Sequence, residues 1–386
     1  MKNNILTLTG LEKMDSKKDD VYLLGKWCLG DRIDDLEMHN NYQILNYHWD
    51  DREKLKLDYY YLKKLHDRLL DKLTLSLNKL HLVQKDKRYW QILLDPWLMD
   101  YVGIIFDRWE TIRIASQLDS KFKINYLENL PHFDASFSYV HQAKLIRTRA
   151  WNQLIYQRII NFSFKNSFDF EKITISKEEK FKENFSDSEY NRKVIFGIIK
   201  IFIRIYEYCC SKFIRNYKVV FLDAYFRPFS FILLNLKLFQ LPRIFYFEFL
   251  NPKLNNKKLP KRKKLIIDLD CSNKFEEFLN HFLPTDLPTS VVEYYKDFSE
   301  HIKKIKIQTK MILSANAYWY SVPKKYWIAE QSSKGVSFVS VSHGGSFPAY
   351  EEHFDFEEDI SDKRCTWFKP LHDKHVQLPP NKLINL

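Results

Sequence analysis

"KMILSANAYWYSVPKKYWIAEQSSKGVSFVSVSHGG", Lys310 to Gly345, decides the fold class. Its first residues are apolar and break at Ser314. "PKKYWIAEQSSKG" then has helical character and closes on Gly335, and "VSFVSVS" is β-branched and alternating. A strand, a helix and a strand joined this tightly imply a parallel crossover. Working outward, "YKVVFLDAYF" is a strand breaking at Asp223, "FSFILLNLKLF" a helix ending before Pro242, and "RIFYFEFL" a further strand. "VYLLGKWC", Val21 to Cys28, supplies a first strand ending at Gly25. The rhythm predicts an α/β protein: a Rossmann-like, doubly wound parallel sheet. One sheet is expected, from residues near 21–24, 218–222, 244–249, 310–314 and 336–342.

A large helical insertion is expected over about 50–160. Leu62, Leu65, Leu69, Leu73, Leu77 and Leu80 recur at steps of three and four, the stripe of an amphipathic helix. Asp50 or Asp51 suits its N-cap. A second helix is expected to start at Asp95-Pro96, with Asp as cap and Pro at the first helical position. The charged, weakly periodic segment from Asn161 to Tyr190 is expected to be a surface excursion.

In doubly wound sheets the carboxyl ends of the strands bind ligands. His343-Gly344-Gly345 stands at such an end. The imidazole can act as a general base or donate to a phosphate oxygen, and the glycines let backbone N–H groups approach an anion closely. A plain turn with a hydrogen-bonded His is the simpler alternative. Asp223 and Asn316 leave strands on the same edge, and either could instead cap the next helix. Glu357, Glu358, Asp359 and Asp362 could orient His343 or bind a sugar hydroxyl, or could form a solvated acidic loop. In "YHWDDR", helix capping explains one of Asp50 and Asp51 and leaves the other, with Arg52, as candidates for the same site.

Composition sets outer bounds. With 45% hydrophobic residues the chain is globular, and a formal charge of +12 calls for an anionic partner. "KKLPKRKKL" is the densest basic cluster, a solvated loop or a docking point for anionic lipid. The five cysteines show no CxxC spacing, so neither a disulfide framework nor a zinc site is indicated, and a reducing cytoplasm fits. "VIFGIIKIFIRIYEYCC" carries Lys200, Arg204 and Glu207 and cannot cheaply span a bilayer. The expectation is a cytoplasmic protein, soluble or peripheral to the inner membrane face. Nucleic-acid binding is disfavoured, since the basic residues lack interleaved aromatics. No Walker A, GxGxxG, GxSxG or HExxH pattern occurs.

Several blocks then fall into register. "LLGKWC", "YHWDDR", "DYYYLKKLHDRLL", "RYWQILLDPWL", "FDRW", "ILSANAYWYSVPKKYWIAE", the His-Gly-Gly, "ISD" with Trp367, and "LPPNKL" resemble a bacterial transferase family of O-antigen and surface-carbohydrate biosynthesis. The resemblance covers nearly the whole chain, least clearly between about 115 and 215. It implies a glycosyltransferase of the GT-B type, with two Rossmann-like domains and a nucleotide-sugar donor as substrate. No further cofactor and no metal are implied, and the acceptor would be a saccharide or lipid-linked saccharide. By this resemblance the site residues are His343, Gly344, Gly345, Glu357 and Asp362, together with Asp50, Asp51 and Arg52. His343 would be the general base or a phosphate contact, and Asp50 a second candidate base. This chain departs from the family pattern at Ser346-Phe347-Pro348, where glycines are usual, and at Trp367-Phe368-Lys369 and Ser342.

With residues 1–342 assigned to one Rossmann-like, acceptor-side domain, too few residues follow for another of roughly 100. The expectation is therefore a truncated enzyme with its donor domain largely missing and little activity of its own. The alternatives are a non-catalytic remnant or binding module, and a transferase of glycerol phosphate or acidic sugars.

Overall fold

Asn4–Thr7 (β1) and Asp20–Leu23 (β2) pair in parallel, Leu6 opposite Tyr22, and Tyr42–Ile44 (β3) extends the sheet beyond β2. On the other side of β1 lies Lys123–Leu127 (β4), and beyond it Asp169–Ile173 (β5), both parallel. The order is β3-β2-β1-β4-β5. Both faces are buried: Leu6 and Ile124 lie on one, Val21, Leu23 and Leu127 on the other. Between β1 and β4 the strand order reverses, which makes that junction a topological switch point.

A second five-stranded sheet uses Asn216–Leu222 (β6), Gln308–Ser314 (β7), Ser337–Val341 (β8), Lys363–Thr366 (β9) and His375–Gln377 (β10). Its order is β10-β9-β8-β7-β6, again parallel throughout. Among these described strands the order never reverses. These features come from a computed structural model that describes residues 3–12, 19–29, 42–118, 121–174, 197–254, 260–343 and 356–381.

The helices used below are Arg52–His81 (α1), Lys87–Ala115 (α2), Arg149–Ile159 (α3), Gly197–Phe213 (α4), Pro228–Lys237 (α5), Ala317–Tyr320 (α6), Val322–Ser332 (α7) and Phe356–Ile360 (α8). The chain divides into two compact units. The first comprises Met1–Leu69, Leu98–Asp187 and Ile267–Leu287, and it holds β1–β5. The second comprises Leu70–Trp97, Ser188–Ile266 and Pro288–Leu386, and it holds β6–β10.

The α/β class with Rossmann-like parallel sheets is as the strand-helix rhythm implies. The leucine stripe is real: Leu65, Leu69, Leu73 and Leu77 of α1 are all buried. Five expectations need correction. There are two sheets, not one, because periodicity reports that a strand is buried and not which neighbour it bonds. The second parallel sheet thus lies within the chain.

The supposed insertion over 50–160 contains β4, a strand inside the first sheet, and the supposed surface excursion contains β5. Helix α2 begins at Lys87, where the Asp86 carboxylate accepts from the Tyr89 N–H at 2.7 Å, and it runs on through Pro96. Residues 244–249 are not a strand. The buried Arg243 guanidinium sits between Glu207 (3.1 Å) and Glu248 (2.6 Å), and Glu207 also accepts from the Ile244 N–H, folding the segment back onto α4.

Candidate functional site

Strands β6, β7 and β8 deliver Asp223, Asn316 and His343 to one carboxyl edge of the second sheet. β6 ends at Leu222, and the next residues enter the left-handed region: Asp223 has φ 48° and Tyr225 φ 58°. For a ring as bulky as tyrosine that conformation is costly and needs support from its surroundings. Asn316 provides some of it, its side-chain amide donating to the Tyr225 hydroxyl. At the helix after β7 the Ser314 hydroxyl accepts from the Ala317 N–H at 3.0 Å, and Asn316, in the N-cap position, makes no capping bond with its side chain. Asp223 does not cap α5 either. Both its oxygens accept from the Lys324 ammonium of α7 at 2.7 Å.

His343 follows β8 directly. Its side chain is 23% exposed, its ring lies 6.2 Å from that of Tyr225, and its Nε2 is 3.5 Å from Glu357 Oε1. Glu357, on α8, is buried at 1% exposure. Trp319 Nε1 of α6 donates to Oε1 at 2.8 Å, and Arg364 Nη2 of β9 donates to Oε2 at 3.1 Å. Arg364 is fully buried, and its other amino group lies 3.6 Å from Glu358. Glu358 in turn meets His375 at 2.8 Å and His372 at 3.3 Å. A row of alternating basic and acidic side chains, His343, Glu357, Arg364, Glu358 and His375, therefore runs from the partly exposed imidazole into the sheet. A buried carboxylate held by two donors cannot rotate away, so it keeps a fixed negative charge beside the His343 ring.

A family model, that of the LIC12162 family transferase, matches residues 4–385. The chain belongs to that family. No curated protein and no solved structure matches it.

The other residues singled out in this LIC12162 family transferase are dispersed. Gly344 and Gly345 lie outside the described residues. Asp362 sits at the opposite, amino end of β9. Its carboxylate accepts from the Phe338 N–H at 2.8 Å and from Arg88 at 2.9 Å. Burial pushes that carboxyl up, but the Arg88 and Phe338 bonds outweigh it and hold it below its ordinary value.

Asp50, Asp51 and Arg52 belong to the first unit and are exposed. Asp51 Oδ1 accepts from the N–H groups of Glu53 and Lys54 at 3.0 and 3.1 Å, which makes it the cap of α1. Beside them lies a buried pair that the sequence reading passed over. His48 Nε2 is 3.0 Å from Asp107 Oδ1, which also accepts from the Tyr47 hydroxyl at 2.7 Å. Burial pushes the Asp107 carboxyl up, yet the bonds from His48 and Tyr47 and the Arg108 charge hold it below its ordinary value. His48 Nδ1 has no hydrogen-bond partner among the described residues.

At the switch point of the first sheet the turn after β1 is already filled. Glu12 accepts from the N–H groups of Leu8, Thr9 and Gly10 at 2.9, 3.3 and 3.0 Å. Gly10 has φ 76°, and a Cβ there would meet the Cys28 carbonyl oxygen at 2.0 Å, so only glycine fits. Burial raises the Glu12 carboxyl, and the backbone donors pull the other way without cancelling it.

A cavity of about 590 Å³ in the first unit is lined by Tyr61, Trp109, Phe275 and the Glu110–Arg113 pair, and by none of the residues above. Its aromatic rings are spent on packing against one another, Trp109 against Phe164 and Phe275. Glu358, His372 and His375 bring possible metal-ligand atoms within 4.8 Å of one another. But His375 Nδ1 accepts from the Leu371 N–H at 3.3 Å, so its neutral ring carries the proton on Nε2, toward Glu358. That lone pair is taken, and Arg364 already neutralises the carboxylate. The cluster reads as part of the ion-pair row.

Proposed function

We propose that this transferase moves a sugar from a nucleotide-activated donor to a saccharide or lipid-linked saccharide acceptor, in the building of a bacterial surface polysaccharide such as O-antigen. The observation that carries the reading is the convergence of Asp223, Asn316 and His343 on one edge of a parallel sheet, with a buried Glu357–Arg364 pair behind the imidazole. Two Rossmann-like sheets in one chain are also what a GT-B glycosyltransferase requires.

In this reading His343 removes the proton from the acceptor hydroxyl or contacts the donor phosphate, and Glu357 faces the positive ring that proton uptake creates. Gly344 and Gly345 would form the turn beneath the donor phosphates. Asn316 and the Asp223–Lys324 pair would contact donor or acceptor hydroxyls. Leaving-group charge would be met by helix ends and basic side chains, without a resident metal or other cofactor. Asp50, exposed beside the α1 cap, is the second candidate base, with Arg52 a substrate contact. The acceptor would be met in the cytoplasm or at the inner face of the membrane.

The test is a panel of nucleotide sugars, with binding followed by calorimetry and transfer by release of the nucleotide. Saturable binding is expected, with His343→Ala lowering transfer by about a hundredfold while leaving binding intact. Binding of no nucleotide sugar, or transfer indifferent to His343→Ala, would overturn it.

A further inference from the structure

Helix α4 presents an apolar face to solvent that its own unit does not use. Of its described side chains only Glu207 and Cys210 are buried, while Ile201, Phe202, Ile205 and Tyr208 are 56%, 68%, 56% and 54% exposed. Glu207 and Cys210 lie on one side of the helical wheel, and Ile201, Ile205 and Tyr208 on the opposite side. The neighbouring segment continues the face: the Tyr206 hydroxyl donates to the Pro242 carbonyl, and Ile244 and Tyr246 are exposed. Helix α5, which follows edge strand β6, adds Phe229 and Leu236, and Phe239 just beyond it is 89% exposed. An exposed apolar surface of this extent is unusual on a monomer and marks a contact surface.

The charge around it says with what. Between residues 197 and 254 there are three acidic residues. Glu207 and Glu248 are tied to Arg243, and Asp223 to Lys324. Apart from the buried Arg243, the cations with described side chains are exposed, and three of these lie over aromatic rings: Arg204 over Tyr246 at 5.6 Å, Lys212 over Tyr208 at 5.3 Å and Lys218 over Phe239 at 5.0 Å. Aliphatic side chains flanked by aromatic rings with a cation over each are the side-chain set of a bilayer interface. The apolar parts enter the acyl boundary, and rings and cations stay at the headgroups. No described helix is long and apolar enough to cross a membrane. A second copy of the chain would set cation against cation, and a nucleic acid would leave the aliphatic residues without a partner.

We propose that α4, the segment 242–246 and α5 form a docking surface for an anionic phospholipid bilayer, with α4 lying in the plane of the headgroups. This gives a location to the membrane contact proposed above, but it rests on none of the chemistry, because vesicles without substrate suffice to test it. Of the basic cluster read as a solvated loop or a lipid-docking point, the described Arg262 is held by Glu293 at 2.6 Å.

The test is flotation of the full chain with vesicles of phosphatidylcholine alone or mixed with phosphatidylglycerol. Binding to the mixed vesicles should be at least about tenfold tighter and should weaken with salt. Ile201→Glu with Ile205→Glu should lower it about tenfold or more, and Arg204→Glu should lower it about fivefold or more. Ile201→Leu with Ile205→Leu should preserve it, with circular dichroism unchanged in every variant. Equal binding to both vesicle types would overturn the proposal, as would indifference to the glutamates. So would a stable dimer that the same glutamates dissociate, which would make a second copy the occupant.

Discussion

The carboxyl edges of the two sheets use similar residue types to opposite ends. In the first sheet the switch point exists, but Glu12 occupies the backbone donors of the turn after β1, and His48 is buried against Asp107. In the second sheet the described strands never reverse, yet Asp223, Asn316 and a half-exposed His343 gather at one edge with their support buried beneath. Topology alone would have placed the site on the first edge. What separates the edges is whether the histidine is buried against its carboxylate or left partly exposed on a rigid base.

The largest expected effect tests that base. Glu357→Ala leaves Arg364 buried with its nearer partner gone, and chemical denaturation should show a loss of about 3 kcal/mol or more. If the cost is near zero, the ion-pair row is not what holds His343.

A comparable effect of opposite sign is expected at Lys325 on α7. Burial drives its ammonium down to about 7, with the Asp95 charge offsetting only part of that. The unfolded chain holds this proton up to its ordinary value of 10.5, so stability should rise with pH between about 7 and 10.5. Lys325→Met should flatten that rise and stabilise the protein by about 3 kcal/mol at pH 6, measured by urea titration across pH. A slope unchanged in the variant would show the lysine to be solvated.

The sharpest form of the comparison sets one histidine against the other. His343→Ala should lower transfer about a hundredfold and leave the melting temperature nearly unchanged. His48→Ala should cost about 1–3 kcal/mol by exposing Asp107 to the loss of a buried donor, seen as a fall in melting temperature. An unmoved melting temperature with lost transfer in His48→Ala would make the first edge catalytic as well. The smallest effect is that of Asp51→Ala, about 1 kcal/mol from the lost cap of α1, with transfer unchanged.

How much of this was legible depends on length and locality. The strand-helix-strand of 310–342 reads directly, because β7, α7 and β8 are adjacent and Gly335 closes the helix at φ 83°. The convergence of Asp223, Asn316 and His343 follows from the same rhythm. The first sheet does not read, because NILT and KINYL are four and five residues long and their pairing bridges more than a hundred positions. "RIFYFEFL" has strand composition, but the buried Arg243 turns it. Arg364 and Trp319 give no local signal as partners of Glu357, since an acidic run looks the same whether solvated or folded over a buried guanidinium.

The Glu12 turn has a practical consequence for ligand design. Compounds aimed at Rossmann-like folds usually carry a phosphate or a mimic for the amides after the first strand. Here such a group would have to evict a resident carboxylate bound to three backbone donors and buried with them. Any phosphate-bearing probe that labels this protein should therefore be expected at another address.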